Sequence, residues 1–295
     1  MSLPTASVPG TVDRADLFRL PGPAQIQNCV QQVASEFPFP GYMEARRHAY
    51  HSIGMNCIRF LAPGARILDY GAGPCDSAAV LARLGFRCTA IDDLRDDWHD
   101  IGTNRERIQN FAASAGVELF VADHVPKEMS KEGFDMVMLH DVIEHFPDSP
   151  HELLVQLIGL LKPGGYLYIS VPNAVNLRKR LLVLSGRTNY PRFAAYYWSG
   201  KLWRGHKREY VKQDLELLCT YLGLQSVLLR GEHHRLDALP RWSQGLYRFT
   251  VGRIDSFRET LSLIGQKGWE WKRGEITAEE LRQIRRRETP YNYDV

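Results

Sequence analysis

The chain has 295 residues, 44% of them hydrophobic and 24% charged, and a formal net charge of +3. That length suits one large α/β domain with additions or two small domains, and the composition is that of a globular protein with a real core. Five scattered cysteines without Cys-x-x-Cys spacing exclude a disulfide framework and a zinc cluster, and the small net charge does not by itself imply nucleic acid. No apolar run approaches the ~18 residues of a membrane span. The opening "MSLPTASVPG" lacks the basic start and apolar core of a secretory signal, so a cytoplasmic protein is expected.

Residues 1 to about 40 are rich in Pro and Gly, with a helix expected near Gln25 to Ser35. "YMEARRHAYHSIGMNCIRFL" has helical spacing and stops at Pro63-Gly64, so residues 1–60 read as a helical extension. Strands are then expected in "ARILDY" (65–70), "CTAID" (88–92), "VELFVA" (117–122), "FDMVMLH" (134–140) and "GYLYISV" (165–171). "DSAAVLARLG", "NRERIQNFAASAG" and "HELLVQLIGLLKPGG" read as the helices between them. Nearly continuous apolar strands separated by helices imply a parallel sheet covered on both faces. An aromatic and basic insertion follows at 174–210, with nine Lys/Arg and no acid from Ala174 to Arg208. After it come the helix "KQDLELLCTYLG" and the strand "LQSVLLR". A basic amphipathic segment at 237–257 precedes the final strand "ETLSLIGQK", which closes a domain spanning 61–271. The tail, 272–295, carries the helix "TAEELRQIRRR".

"ILDYGAGPCDSAAVLA" leaves the first strand and opens a helix. Asp69 ends the strand, Gly71 and Gly73 make the turn, and Asp76 or Ser77 can cap the helix. Glycines let the backbone approach a ligand, and a helix N-terminus presents free N–H groups. Asp92 ends the second strand, where a carboxylate can take both hydroxyls of a ribose. The third glycine is missing, with Cys75 in its place, and neither a fuller Gly-x-Gly-x-x-Gly nor a second βαβ half is visible, which disfavours a dehydrogenase.

Asp69-x-Gly-x-Gly, Asp92, Asp123 in "FVADHVP" and "LLKPGGYLYISVPN" together resemble the class I S-adenosylmethionine-dependent methyltransferases. The nearest branch in this resemblance holds the bacterial sugar and ubiquinone-type O-methyltransferases. It implies a Rossmann-like seven-stranded sheet with its last strand antiparallel and helices on both faces. It also implies S-adenosyl-L-methionine as cofactor. The glycine loop (Asp69, Gly71, Gly73) would cradle the methionine part, Asp92 (with Asp93 as second choice) the ribose, and Asp123 the adenine amino group.

"FDMVMLHDVIEHF" then crowds His140, Asp141, Glu144 and His145 at the fourth strand's end. If the turn after it is helical, Asp141, Glu144 and His145 share one face. Acid-x-x-Glu-His resembles the divalent-metal site of ubiquinone-biosynthesis O-methyltransferases and of small-RNA 2′-O-methyltransferases, which add a later histidine. His206 in "RGHKREY" could be that residue, giving Asp141, Glu144, His145 and His206 as ligands for Mg²⁺ or Mn²⁺. Without metal, a histidine would act as general base, His140 first, then His145 and His206. A third reading makes Glu144 and His145 a hydrogen-bonded scaffold for the turn.

Tyr190, Phe193, Tyr196, Tyr197, Trp198 and Trp203 among Arg and Lys suit stacking on a ring or sugar. "GHKREY" before a helix resembles bacterial glycan methyltransferases, so a sugar or polysaccharide hydroxyl is the expected acceptor. The alternatives are a phenolic or quinone-precursor ring, RNA 2′-O-methylation, and a binding protein without catalysis; nucleic acid is disfavoured for want of an RNA module. The 237–257 segment has two further roles open to it, a peripheral membrane contact or a homodimer contact.

Overall fold

Seven strands form one sheet in the order β3-β2-β1-β4-β5-β7-β6. They are β1 (Arg66–Tyr70), β2 (Arg87–Asp92), β3 (Glu118–Val121), β4 (Phe134–His140), β5 (Leu161–Pro172), β6 (Leu224–Glu232) and β7 (Thr260–Lys267). The first five run parallel, and β7 inserts antiparallel between β5 and β6. This is the mixed sheet expected from the resemblance. The computed structural model describes residues 22–127, 129, 133–199, 203–234 and 241–288.

Both faces of the sheet are covered, as the near-continuous apolar strands require. On one face lie α1 (Pro23–Glu36), α2 (Arg47–Phe60), α3 (Asp76–Arg83) and α4 (Asn104–Ser114). Ile26, Val33, Ile53 and Cys57 of the extension share one buried cluster with Leu81 of α3 and Met136 and Met138 of β4. The described part of the N-terminal extension, from residue 22, is therefore part of the core rather than an appendage, and the expected extension before it lies outside the described residues. The other face buries Leu68, Val137 and Leu139 against Leu154, Leu157 and Ile158 of α5 (His151–Gly159) and Leu215 of α8 (Lys212–Tyr221).

Two elements differ from the sequence expectation. α5 stops at Gly159 instead of running through "KPGG", because Leu161 already pairs with Phe134 and opens β5. A β-bulge follows, and a Cβ on Gly165 would lie 3.0 Å from the Lys162 carbonyl oxygen and 3.1 Å from that of Asp135. The second difference is the turn after β4, described below.

The insertion leaves and rejoins the sheet at one place. Asn173 bridges to Tyr210, and the Asn173 side chain donates to the carbonyls of Ser256 (2.9 Å) and Arg258 (2.8 Å). Between these anchors lie α6 (Leu177–Leu184), capped by the Asn176 side chain, and α7 (Phe193–Tyr197). Beyond β6, α9 (Arg241–Thr250) occupies the amphipathic segment, and α10 (Ala278–Glu288) is the expected tail helix. Among the described residues no helix is long and apolar enough to cross a membrane.

Candidate active site

The strand order reverses between β1 and β4, and open α/β sheets bind ligands in the crevice at such a point. Here the crevice is a cavity of about 560 Å³. The expected loop forms its floor. Gly71 takes φ +74°, and a Cβ there would lie 2.5 Å from Val142 Cγ2, so no side chain fits. Gly73, at φ +53°, has open space where a Cβ would project. Cys75 itself adopts the left-handed conformation (φ +64°) that a glycine would take more cheaply, at a cost of about 1–2 kcal/mol. The turn thus survives without its third glycine.

The strand-end acids line this cavity, each in its own state. Asp69 is buried, and desolvation, with Asp76 and Asp92 nearby, pushes its carboxyl up to about 7. Asp92 accepts from the backbone N–H of Gly73 (2.7 Å) and of Leu94 (2.8 Å), tying the end of β2 to the glycine loop. Burial still raises its pKa. Asp93 is engaged by Arg204 of the insertion, whose guanidinium donates to both its oxygens (3.1 and 2.9 Å) and to Asp96 (2.9 Å). Asp123 sits exposed at the rim, accepting from Arg95 (3.3 Å) and His124 (2.9 Å).

Arg46 was not singled out from sequence. It precedes α2, lines the cavity and reaches Asp141 at 3.3 Å. Burial would discharge it, but Asp76 and Asp141 outweigh that and hold it firmly cationic. Tyr50 braces the group from below by donating to Asp76. A half-buried arginine beside the glycine loop is a ready partner for a carboxylate. Its only sequence signal was a basic pair ahead of a helix, which normally reads as a solvated end.

The opposite wall is built on the turn after β4. Glu144, His145 and His206 each offer a ligand atom, all within 4.8 Å of one another. Glu144 is 0% exposed, and its carbonyl accepts from the N–H of Lys207 (2.6 Å), which brings the insertion onto the turn. His145 Nδ1 donates to the Arg204 carbonyl (2.6 Å), and His206 Nδ1 donates to Glu209 (2.9 Å). Carbonyl and carboxylate oxygens can only accept, so Nδ1 carries a hydrogen in both rings and Nε2 is the nitrogen left to face an ion. These nitrogens lie 3.9 Å and 4.0 Å from Glu144 Oε1. Glu209 is itself paired with the buried Lys179. Burial lowers the His145 pKa, favouring its neutral, ligating form. Two oriented imidazoles and one carboxylate fit a divalent transition-type cation by donor chemistry.

Two sequence expectations are corrected here. Asp141 does not join Glu144, His145 and His206. It adopts φ +54°, so the helical turn that would align it never starts at that residue, and only Ile143–His145 form a 3₁₀ turn. Its carboxylate faces Arg46 instead. His140 lies edge-on against Tyr168 (ring centroids 4.4 Å apart), with both nitrogens buried and without a hydrogen-bond partner. Burial first, then His234, pulls its pKa down to about 3, too low for an effective base at neutral pH.

A second cavity, about 430 Å³, adjoins the first. His145 and Trp203 line both, and His206, Glu209, Tyr190, Arg178 and Arg192 line only the second. Phe193, Tyr196, Tyr197 and Trp198 line neither and are exposed.

A seven-stranded sheet with an antiparallel seventh strand, a glycine turn and strand-end acids around one crevice defines the class I methyltransferase architecture. The chain belongs to the methyltransferase-domain family, whose profile matches residues 42–229. It is 33% identical over 129 residues to a ubiquinone biosynthesis O-methyltransferase of Xanthomonas campestris, covering 43% of this chain and 52% of that one. A ubiquinone biosynthesis O-methyltransferase of Paracidovorax citrulli is 30% identical over 195 residues, covering 62% and 74%. The chain thus spans about half the length of the first of these relatives. A solved SAM-dependent methyltransferase from Archaeoglobus fulgidus shares the fold at 16% identity with a TM-score of 0.50, covering 75% of this chain and 94% of that one.

Proposed function

We propose that the protein is an S-adenosylmethionine-dependent O-methyltransferase acting on a phenolic hydroxyl of a quinone-precursor-type ring, with a divalent cation at Glu144, His145 and His206. The observation that carries this is that His145 lines both cavities and His206 the second, with the buried Glu144 carboxylate beside both rings. The relatives named for ubiquinone biosynthesis favour the phenolic acceptor over the saccharide expected from "GHKREY".

When bound, the cofactor supplies a sulfonium methyl group to an in-line displacement. The chain's own task is to hold and align. Arg46 would hold the methionine carboxylate, the Gly71–Gly73 backbone would admit the chain, Asp92 would take the ribose hydroxyls, and Asp123 would take the adenine amino group. Trp203 and Tyr190 offer flat faces to an aromatic acceptor in the second cavity. A cation held by Glu144, His145 and His206 would lower the pKa of an acceptor hydroxyl. The Nε2 of His145 or His206 can take that proton if no ion is bound. His140 keeps a wall position beside the cofactor instead.

The test is transfer of a labelled methyl group from S-adenosylmethionine to 3,4-dihydroxybenzoate, with and without Mn²⁺ and chelator. Methylation of the ring, lost in chelator and restored by Mn²⁺, is the expected result. Methyl transfer to a glycoside but not to the catechol would return the acceptor to the saccharide reading. Full activity in excess chelator would leave the histidines as simple bases.

A further inference from the structure

The second cavity carries positive charge that its own walls do not offset. Arg178 and Arg192 line it, and among the described residues neither guanidinium has a hydrogen-bond or ion-pair partner. The one carboxylate in the described lining, Glu209, is already engaged: it accepts from His206 Nδ1 (2.9 Å) and pairs with the buried Lys179. Other cations of the insertion have plain structural work. Arg180 donates to the Val175 carbonyl, Arg204 binds Asp93 and Asp96, and Arg208 pairs with Asp214 (3.6 Å). Nor does local structure explain Arg178. It stands in the first turn of α6, where unsatisfied N–H groups leave a partial positive charge that favours an acid, and no acid lies in that turn. Arg192 stands immediately before α7, whose first turn also lacks an acid.

From this we infer that the methyl acceptor carries a carboxylate, and that Arg178 and Arg192 hold it in the second cavity while the hydroxyl to be methylated meets His145 and His206. A guanidinium presents two parallel N–H donors that match the two oxygens of a carboxylate, which makes arginine the residue suited to recognising that group. The cavity, about 430 Å³, lies at the small end of ligand pockets and suits a single ring with short substituents. The charge count points the same way. A divalent ion beside the single Glu144 carboxylate would add to the field of the two arginines, and an ionised acceptor offsets both. The inference rests on the reading of this cavity as the acceptor site, and holds whether the ring is a phenol or a sugar. Arginines that merely stand in solvent would be indifferent to the acceptor's charge.

The test compares each acid with its neutral amide of nearly the same shape: 3,4-dihydroxybenzoate with 3,4-dihydroxybenzamide, and glucuronate with glucuronamide. Methyl transfer is read beside binding, the latter titrated in the presence of S-adenosylhomocysteine and Mn²⁺. In at least one pair the acid should be favoured by roughly tenfold or more, the loss in the amide lying in KM rather than kcat. Arg178→Gln and Arg192→Gln should each shrink that preference, and the double variant should bring it close to one. Arg192→Lys, which keeps the charge, should restore part of it. S-adenosylhomocysteine affinity should be unchanged throughout, which shows that the sheet and its crevice are intact. Equal use of acid and amide in both pairs, binding of neither acid, or a preference that survives in the double variant overturns the inference. So does a variant that loses acid and amide alike. The two readings fail separately. A catechol pair methylated without regard to charge keeps the phenolic acceptor and overturns this inference, whereas glucuronate favoured over its amide with no transfer to a catechol does the reverse.

Discussion

The two walls of the active-site crevice are built by different means. The cofactor wall stands on the ends of β1, β2 and β4, where ladder hydrogen bonds fix the backbone and a few carboxylates follow from it. The acceptor wall comes from a long excursion between Asn173 and Tyr210, held by a handful of contacts. Arg204 grips Asp93 and Asp96, the Arg204 carbonyl orients His145, and the Glu144 carbonyl receives the Lys207 N–H. A wall of strand ends suits a ligand common to a whole class. A wall of side-chain contacts can be rebuilt for each acceptor without disturbing the sheet.

If the walls are separable, Glu144→Gln should lower turnover by about 10²- to 10⁴-fold, the range for loss of a proton-handling or ion-holding group. Calorimetry with S-adenosylhomocysteine should show its affinity unchanged, and a parallel loss of cofactor binding would break the distinction. Arg46→Ala probes the other wall. Removing a charged hydrogen bond worth about 1.5–3 kcal/mol should weaken cofactor binding by about ten- to a hundredfold. Asp92→Ala should do so by roughly tenfold or more, and in both variants much of the turnover should return at saturating cofactor. Unchanged affinity in each would move the cofactor elsewhere in the crevice.

Glu209→Ala removes the group that orients His206 without touching the ion's own ligands. Mn²⁺ affinity, read by titration, should fall by about 10- to 100-fold, the usual effect of losing such a partner. An unchanged affinity would mean that His206 is positioned by the insertion backbone alone. The smallest effect concerns His140. Its folded-state pKa, near 3, lies below the ordinary value of about 6.5, so the unfolded chain binds the extra proton first. Its contribution to stability is present above pH ~6.5 and is lost as pH falls toward 3, at up to about 1.4 kcal/mol per pH unit. His140→Gln should flatten the slope of urea-unfolding stability between about pH 6.5 and 5. The same slope in wild type and variant would mean that the ring is already solvated.

Much of the cofactor wall was legible in the chain, because its signals are local. A strand that ends in Asp69 and turns through Gly71 and Gly73 into a helix is a continuous stretch. The sheet then carries Asp92 and Asp123 to the same edge. The meeting of His206 with Glu144 and His145 was also anticipated, but only through a resemblance, since His206 lies 61 positions after His145. Arg46 was missed because a cation ahead of a helix looks solvated until Asp76 and Asp141 close around it.

The succession of strands and helices along the chain, the glycine turn and the acids at the strand ends were determined by the sequence itself, because alternation of apolar runs with helical periods and the need for φ > 0 are written residue by residue. Only the tertiary structure decided that Asp141 turns to Arg46 while His206 takes a place beside Glu144. Spacing along the chain assumes a regular helical turn. The left-handed residue at Asp141 and the return of a distant insertion depend on what packs against them.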